Sequence, residues 1–189
     1  MKLPIVAYGD PVLKKVAEDI TKEYPELDSL IENMFESMYA ANGVGLAAPQ
    51  VGLPIRLFVI DATPFEEDEP QLKDFKKVFI NAIIEDETGN KWSFNEGCLS
   101  IPDIRENVSR HPEIKISYYD ENWNFHENTF KGLAARVIQH EYDHIEGKLF
   151  TDRINPLRKT MLKGKLDAIT KGIVKVSYKM KFPALKKKR

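Results

Sequence analysis

The chain has 189 residues, 42% of them hydrophobic and 30% charged, with a formal net charge of −1. That composition is ordinary for a globular protein, and the length suffices to bury one sizeable core. No apolar run approaches the roughly 20 residues of a membrane-spanning helix, and a single cysteine, Cys98, excludes an intrachain disulfide and fits a reducing compartment such as the cytoplasm.

Taken in chain order, the N-terminal patch Met1 to Tyr8 meets Asp10 and Pro11 before a signal-peptide core could form, and reads as a strand or extended arm. Asp10 to Ala17 predicts a short helix, with Asp10 as N-cap and Pro11 at the first helical position. Leu27, Leu30, Ile31, Met34, Phe35, Met38 and Tyr39 recur at spacings of three and four, so a longer helix is predicted, ending at Asn42-Gly43 with the glycine as its cap. The stretch 43–50 then packs two glycines and two alanines before Gln50. Small residues let a ligand's backbone lie close, and Gln50 offers an amide donor; a tight turn against a neighbouring helix is the plainer reading.

Residues 56–60 read as a buried strand. The stretch 63–76, with Pro64, Pro70 and the run Glu66 to Glu69, reads as a solvated loop without functional signal. Another strand covers 78–84 and closes at a turn over 88–90. Residues 113–119 alternate apolar and polar, 120–124 form a hairpin loop, and 125–130 return. A helix is predicted over 131–146, ending at Gly147, and a second from Pro156 to about Ile169; after Gly172, 173–180 alternates like an edge strand. No βαβ rhythm appears, so the fold class is α+β, with mostly antiparallel sheets packed around a central helix. We expect one catalytic domain over 1–170 and a basic tail over 171–189. That tail holds eight basic residues and no acids, leaving 20 basic against 29 acidic residues, a net −9, on the remainder. Such a tail suits an acidic partner such as RNA, or is simply a solvated terminus.

The helix over 131–146 carries the chemistry. His140-Glu141-Tyr142-Asp143-His144 is an H-E-x-x-H sequence. At 3.6 residues per turn His140 and His144 leave one face, one turn apart, and can grip one divalent ion. Glu141 can then act as general base toward the water that such an ion activates. Two imidazoles leave a catalytic metal one protein ligand short. A metzincin-type peptidase needs a third histidine downstream and a gluzincin-type one a downstream glutamate, yet no His follows His144 and no Glu follows Glu146. Asp167 would be an unusual substitute, and His111 and His126 lie upstream near strand ends. Cys98, within Glu96-Gly97-Cys98-Leu99-Ser100, is the better donor, since a thiolate suits a soft or borderline ion. A zincin-like metallopeptidase remains the alternative, and a non-catalytic metal module a second rival; the latter needs a fourth protein ligand, which the sequence does not supply.

Three segments together resemble the peptide deformylase family, whose motifs are G-x-G-x-A-A-x-Q, E-G-C-L-S and Q-H-E-x-D-H-x-x-G. Here they read Gly43 to Gln50, Glu96 to Ser100 and Gln139 to Gly147, with every fixed position matched and in order. The resemblance implies hydrolysis of the formyl group from N-formylmethionine on nascent polypeptides, by a cytoplasmic monomer. It implies one ferrous ion on Cys98, His140 and His144, replaceable by zinc or nickel. It implies Glu141 as proton carrier, and the Gln50 side chain and Leu99 N–H as donors to the developing oxyanion. The methionine pocket is assigned by similarity to Val44, Leu133 and Val137, a substrate backbone contact to the Gly45 carbonyl, and a further substrate contact to Arg105. Glu96 and Arg110 resemble a supporting ion pair. No membrane and no sequence-specific nucleic acid are expected; a weak ribosome contact through the basic tail is.

Overall fold

The computed structural model describes residues 1–183. Its main sheet has five antiparallel strands in the order β2 (Gly45–Ala47), β3 (Leu57–Asp61), β4 (Lys76–Thr88), β7 (Glu113–Tyr119) and β8 (Phe125–Lys131). Strands β5 (Trp92–Cys98) and β6 (Ile101–Arg110) form a separate antiparallel hairpin, and β1 (Ile5–Val6) pairs in parallel with β9 (Met180–Lys181). Three helices complete the fold: α1 (Leu27–Ala40), α2 (Gly132–Ile145) and α3 (Pro156–Thr170). The α+β class with mostly antiparallel sheets around the histidine-bearing helix is what the chain adopts.

Strand periodicity explains the layering. Successive side chains of β3 point to opposite faces. Phe58 and Ile60 enter the core shared with α2 (Ala134, Val137, Ile138), whereas Leu57 and Val59 enter the core shared with α1 (Ile31, Met34, Met38). The sheet is therefore sandwiched, and β3 reads as a continuous apolar run because both its faces are covered. Phe58 and Phe79 are fully buried and stack at 4.7 Å, each contributing roughly 1.5–3 kcal/mol by burial. A third core joins β6 to α3 through Ile101, Ile104, Val108, Leu162 and Leu166.

Several elements depart from expectation. The helix predicted over 10–17 is one 3-10 turn, Pro11–Lys14, capped by Asp10; the chain then straightens so that Ala17 N–H reaches the Ile145 carbonyl, a tertiary bond that outweighs local propensity. At the end of α1 the left-handed residue is Asn42 (φ 55°), not Gly43. Gly43 N–H bonds the Met38 carbonyl and Asn42 N–H the Tyr39 carbonyl, the double closure that ends many helices. The stretch 43–50 is not only a turn, since it holds the edge strand β2. Hairpin β5–β6 has no counterpart among the predicted elements. Of the edge strand predicted over 173–180 only the β9 pairing forms. The final basic run, Lys186 to Arg189, lies outside the described residues. Among the described residues no helix is long and apolar enough to cross a membrane.

Candidate metal centre and substrate groove

Helix α2 runs between the main sheet and the β5–β6 hairpin, and the hairpin brings Cys98 to it. One ligand atom each from Cys98, His140 and His144 lie within 4.8 Å of one another. Cys98 Sγ is 3.4 Å from His144 Nε2, and the two imidazole centroids are 5.3 Å apart. One thiol and two imidazoles, converging from a hairpin end and one helix face, form a donor set suited to a borderline divalent ion, with a coordination position left open. His111 and His126 are elsewhere: His111 Nδ1 sits 2.8 Å from the Gly89 carbonyl, and His126 Nε2 2.7 Å from Asp120.

Behind the donors lies a buried ionic network. Glu96, 5% exposed, contacts His140 Nδ1 at 2.9 Å and accepts from Arg110 through both carboxylate oxygens at 2.8 and 2.9 Å and from Arg136 at 2.8 Å. Burial alone would raise the Glu96 pKa, but the hydrogen bonds from His140 and Arg110 outweigh it and hold the carboxylate far below its usual range. An ionised carboxylate only accepts, so His140 Nδ1 carries the proton and Nε2 is left for the centre. Arg110 also donates to Asp143 at 2.8 Å, and Asp143 accepts two further bonds from Arg153. The Arg110–Glu96 pair expected from sequence is thus one edge of a larger network. Arg136 and Arg153 were not singled out by sequence, although Arg136 stands among apolar residues on a buried helix; Asp143 entered only as a fixed motif position, with no role. Burial lowers the His144 pKa well below its ordinary value, which keeps that ring neutral.

Glu141 is 4% exposed, and its Oε2 has no partner among the described residues. Burial raises its pKa to about 7. Gly45 lies directly against it: a Cβ at position 45 would fall 2.4 Å from Glu141 Oε1. Strand β2 is the free edge of the main sheet. Asp61 N–H bonds the Val44 carbonyl, which makes 44/61 the hydrogen-bonded pair and 45/60 the open one. The Gly45 N–H and C=O therefore point away from β3, along the open side of the strand. So does the Ala47 N–H, which donates to Gln50 Oε1 at 2.9 Å. That bond fixes the Gln50 amide so that its NH2 faces Cys98 Sγ at 3.5 Å and Ser100 Oγ at 3.3 Å.

A cavity of about 580 Å³ joins these parts. Val44, Gly45, Gln50, Cys98, Leu99, Arg105, Val137, His140 and Glu141 line it, and so do Phe65 and Phe94. Leu133 does not: it is buried one turn from Val137, inside the core between α2 and the sheet. Arg105 lies back along its own hairpin, donating to the Asn95 side chain at 2.7 Å and carbonyl at 2.9 Å.

The acidic stretch 63–76 is not an idle solvated loop. It folds into two 3-10 turns, buries Leu72, and supplies Phe65 to the cavity wall. Glu69 Oε1 accepts the Leu133 N–H at 2.9 Å, so a carboxylate from this stretch caps the N-terminus of α2, where the residue at the cap position, Lys131, gives no side-chain bond. Gly132 makes room for it: at φ 59° a Cβ there would sit 2.3 Å from the Glu69 oxygen. The sequence signal was indirect, namely a helix whose start lacks a Ser, Thr, Asp or Asn.

Fold and donor set define a class: an α+β protein with a Cys–His–His cluster fit for a metal ion, beside a strand edge open to an extended chain. The profile of the polypeptide deformylase family matches residues 2–160. The chain is 60% identical to the peptide deformylase of Christiangramia forsetii and 59% identical to that of Flavobacterium johnsoniae, each over the whole of both chains. Among solved structures it is similar to a peptide deformylase from Legionella pneumophila, with a TM-score of 0.80, 36% identity and coverage of 92% of this chain and 98% of that one. It is also similar to one from Synechococcus elongatus in complex with actinonin, with a TM-score of 0.76, 40% identity and coverage of 86% and 85%. This chain belongs to the polypeptide deformylase family.

Proposed function

We propose that this chain hydrolyses the N-terminal formyl group of formyl-methionyl polypeptides. One observation carries the reading: Cys98 and His140 of the Cys98–His140–His144 cluster, and Glu141, whose Oε2 has no partner among the described residues, open onto the same cavity as the free edge of β2. A peptide laid along that edge gains backbone bonds from Gly45, as strands add to open sheet edges, and so brings its first residue to the cluster. Val44, Val137 and Phe65 offer the methionine side chain an apolar wall.

Cys98, His140 and His144 would hold the ion, ferrous in the cell and replaceable by zinc or nickel. When bound, it supplies Lewis acidity and lowers the pKa of water toward neutrality. Glu141, poised near neutral pKa by burial, takes the proton of the attacking water and passes it to the leaving amine. Attack at the formyl carbon places negative charge on its oxygen, to which the Gln50 amide and the Leu99 N–H would donate. The C–N bond breaks to give formate and a free methionyl N-terminus. A formyl carbon bears only hydrogen, so a narrow site rejects an acetyl group by size.

The reaction would take place in the cytoplasm, on nascent chains, with the protein as a monomer. A weak, salt-sensitive ribosome contact rests on the unopposed charge of the tail. Neutralising Lys186, Lys187, Lys188 and Arg189 should weaken it, and an unchanged affinity would remove that proposal. The main test is incubation with formylated and unformylated methionyl peptides. Release of formate from the first alone is expected; cleavage at internal bonds would instead support the metallopeptidase alternative. Glu141→Ala should abolish formate release while retaining metal, and full activity would show that another group carries the proton.

A further inference from the structure

Leu99 and Ser100 are the two turn residues of the β5–β6 hairpin, with Cys98 paired to Ile101 across its base. Cys98 offers its thiol from the base of this turn, and Leu99, the next residue, its N–H. The placement of that turn therefore sets both groups at once.

Two bonds from distant parts of the chain hold it. Tyr8 N–H donates to the Ser100 carbonyl at 2.8 Å, and the Tyr178 hydroxyl donates to the Leu99 carbonyl at 2.8 Å. The donors are themselves joined: Ile5 N–H bonds the Lys179 carbonyl at 2.8 Å and Ala7 N–H the Lys181 carbonyl at 2.9 Å, within the parallel β1–β9 pair. Both ends of the chain thus clasp the turn. Lys175, Val176, Ser177 and Tyr178 also line the cavity, and the Tyr178 ring packs in the core cluster that Leu99 adjoins. Residues 175–178 are therefore part of the groove wall, although the family profile ends at residue 160.

We propose that Tyr178 is a positioning residue: its hydroxyl, through the Leu99 carbonyl, fixes the Leu99–Ser100 peptide and so restrains the adjoining Cys98–Leu99 peptide, which carries the Leu99 N–H and follows the Cys98 thiol, relative to α2. The proposal rests on the deformylase reading only for its effect on turnover. The hydroxyl of Tyr178 is engaged by the Leu99 carbonyl, so it acts through the turn. Without its bond, rotation about the Leu99 backbone swings the turn and the N–H it carries. The effect is smaller than outright removal of an oxyanion donor, which costs roughly 10²- to 10³-fold in kcat; about tenfold is expected.

The test is Tyr178→Phe in the full-length, metal-loaded protein, which deletes the hydroxyl and keeps the ring. The expected result is a fall of about tenfold in kcat for formyl-methionyl peptide, with KM changed less than about twofold. Amide exchange at Leu99 and Ser100 should speed up severalfold, with exchange in α1 and the unfolding midpoint unchanged. Unaltered exchange at the turn would overturn the proposal whatever the kinetics. So would a purely KM effect, which would make Tyr178 a groove residue only. Should the wild-type protein release no formate, the deformylase reading fails, while the exchange measurement still decides whether Tyr178 holds the turn.

Discussion

Replacing Gly45 by alanine adds one methyl group at the most crowded point of the site. The new Cβ would lie 2.4 Å from Glu141 Oε1 and 2.8 Å from both Cδ and Cγ. Turning the carboxyl plane cannot relieve contact with three successive atoms. Strand β2 cannot retreat, because its other face is packed through Leu46 in the core shared with α1. Ordinary contact starts near 3.4 Å, so the Glu141 side chain must shift by about 1 Å. A catalytic group misplaced by about 1 Å costs on the order of 10²-fold, or ~2.7 kcal/mol of barrier. We therefore expect Gly45→Ala to lower kcat for formate release about a hundredfold while Cys98, His140 and His144 still retain metal. Stability should fall by roughly 1–3 kcal/mol, the usual cost of overpacking. In a Glu141→Ala background the same substitution should do little more, because the displaced group is already gone. Near wild-type kcat in a folded, metal-replete Gly45→Ala protein would refute the argument that this glycine exists to admit Glu141.

Three further outcomes follow from the surrounding structure. Glu69→Ala removes the cap of α2 and should cost about 1–2 kcal/mol, with Glu69→Gln between it and wild type, since the amide accepts but carries no charge; a urea midpoint unchanged for the alanine variant would contradict the cap. Arg110→Met leaves Glu96 and Asp143 short of a buried partner and should destabilise by roughly 3–5 kcal/mol and lower metal content, with Arg110→Lys intermediate because one ammonium cannot reproduce the two-pronged pairing; wild-type stability of the methionine variant would refute it. Burial would raise the Asp152 pKa, but bonds from Lys14, Lys159 and the Leu149 N–H bring it down to about 2 from an ordinary 3.8. A depressed carboxyl stabilises the fold above its unfolded pKa, and that contribution disappears as pH falls from about 4 through 2; after solvent screening it is worth about 1 kcal/mol. Asp152→Asn should therefore be less stable than wild type at pH 5 and converge with it near pH 2, and parallel denaturation curves across that range would count against the pairing.

The legibility of each element tracks how local its cause is. His140, Glu141 and His144 stand on one stretch of helix, so spacing alone predicts which face they share. Residues 56–60, 78–84 and 113–130 were readable because apolar and turn residues alternate as strands require. Hairpin β5–β6 was not, because its inward positions include Glu96 and Arg110, two charges that look like surface residues until each is seen to neutralise the other. The same holds for 63–76, whose acidic run reads as solvated although Glu69 is spent on the start of a helix distant in sequence.

By itself the sequence determined the helix that carries His140, Glu141 and His144 on one stretch, the α+β class and, through three motifs, the family resemblance. These depend on helical and strand periodicity and on side-chain chemistry, which neighbouring residues carry in themselves. Only the tertiary structure decided how Cys98 reaches the two histidines, why position 45 admits no side chain, which way the Gln50 amide faces, and that the chain's two ends hold the turn bearing Leu99. Those are contacts between segments tens of residues apart. They are set by strand register and by the packing of α2 between sheet and hairpin, and no local pattern encodes either.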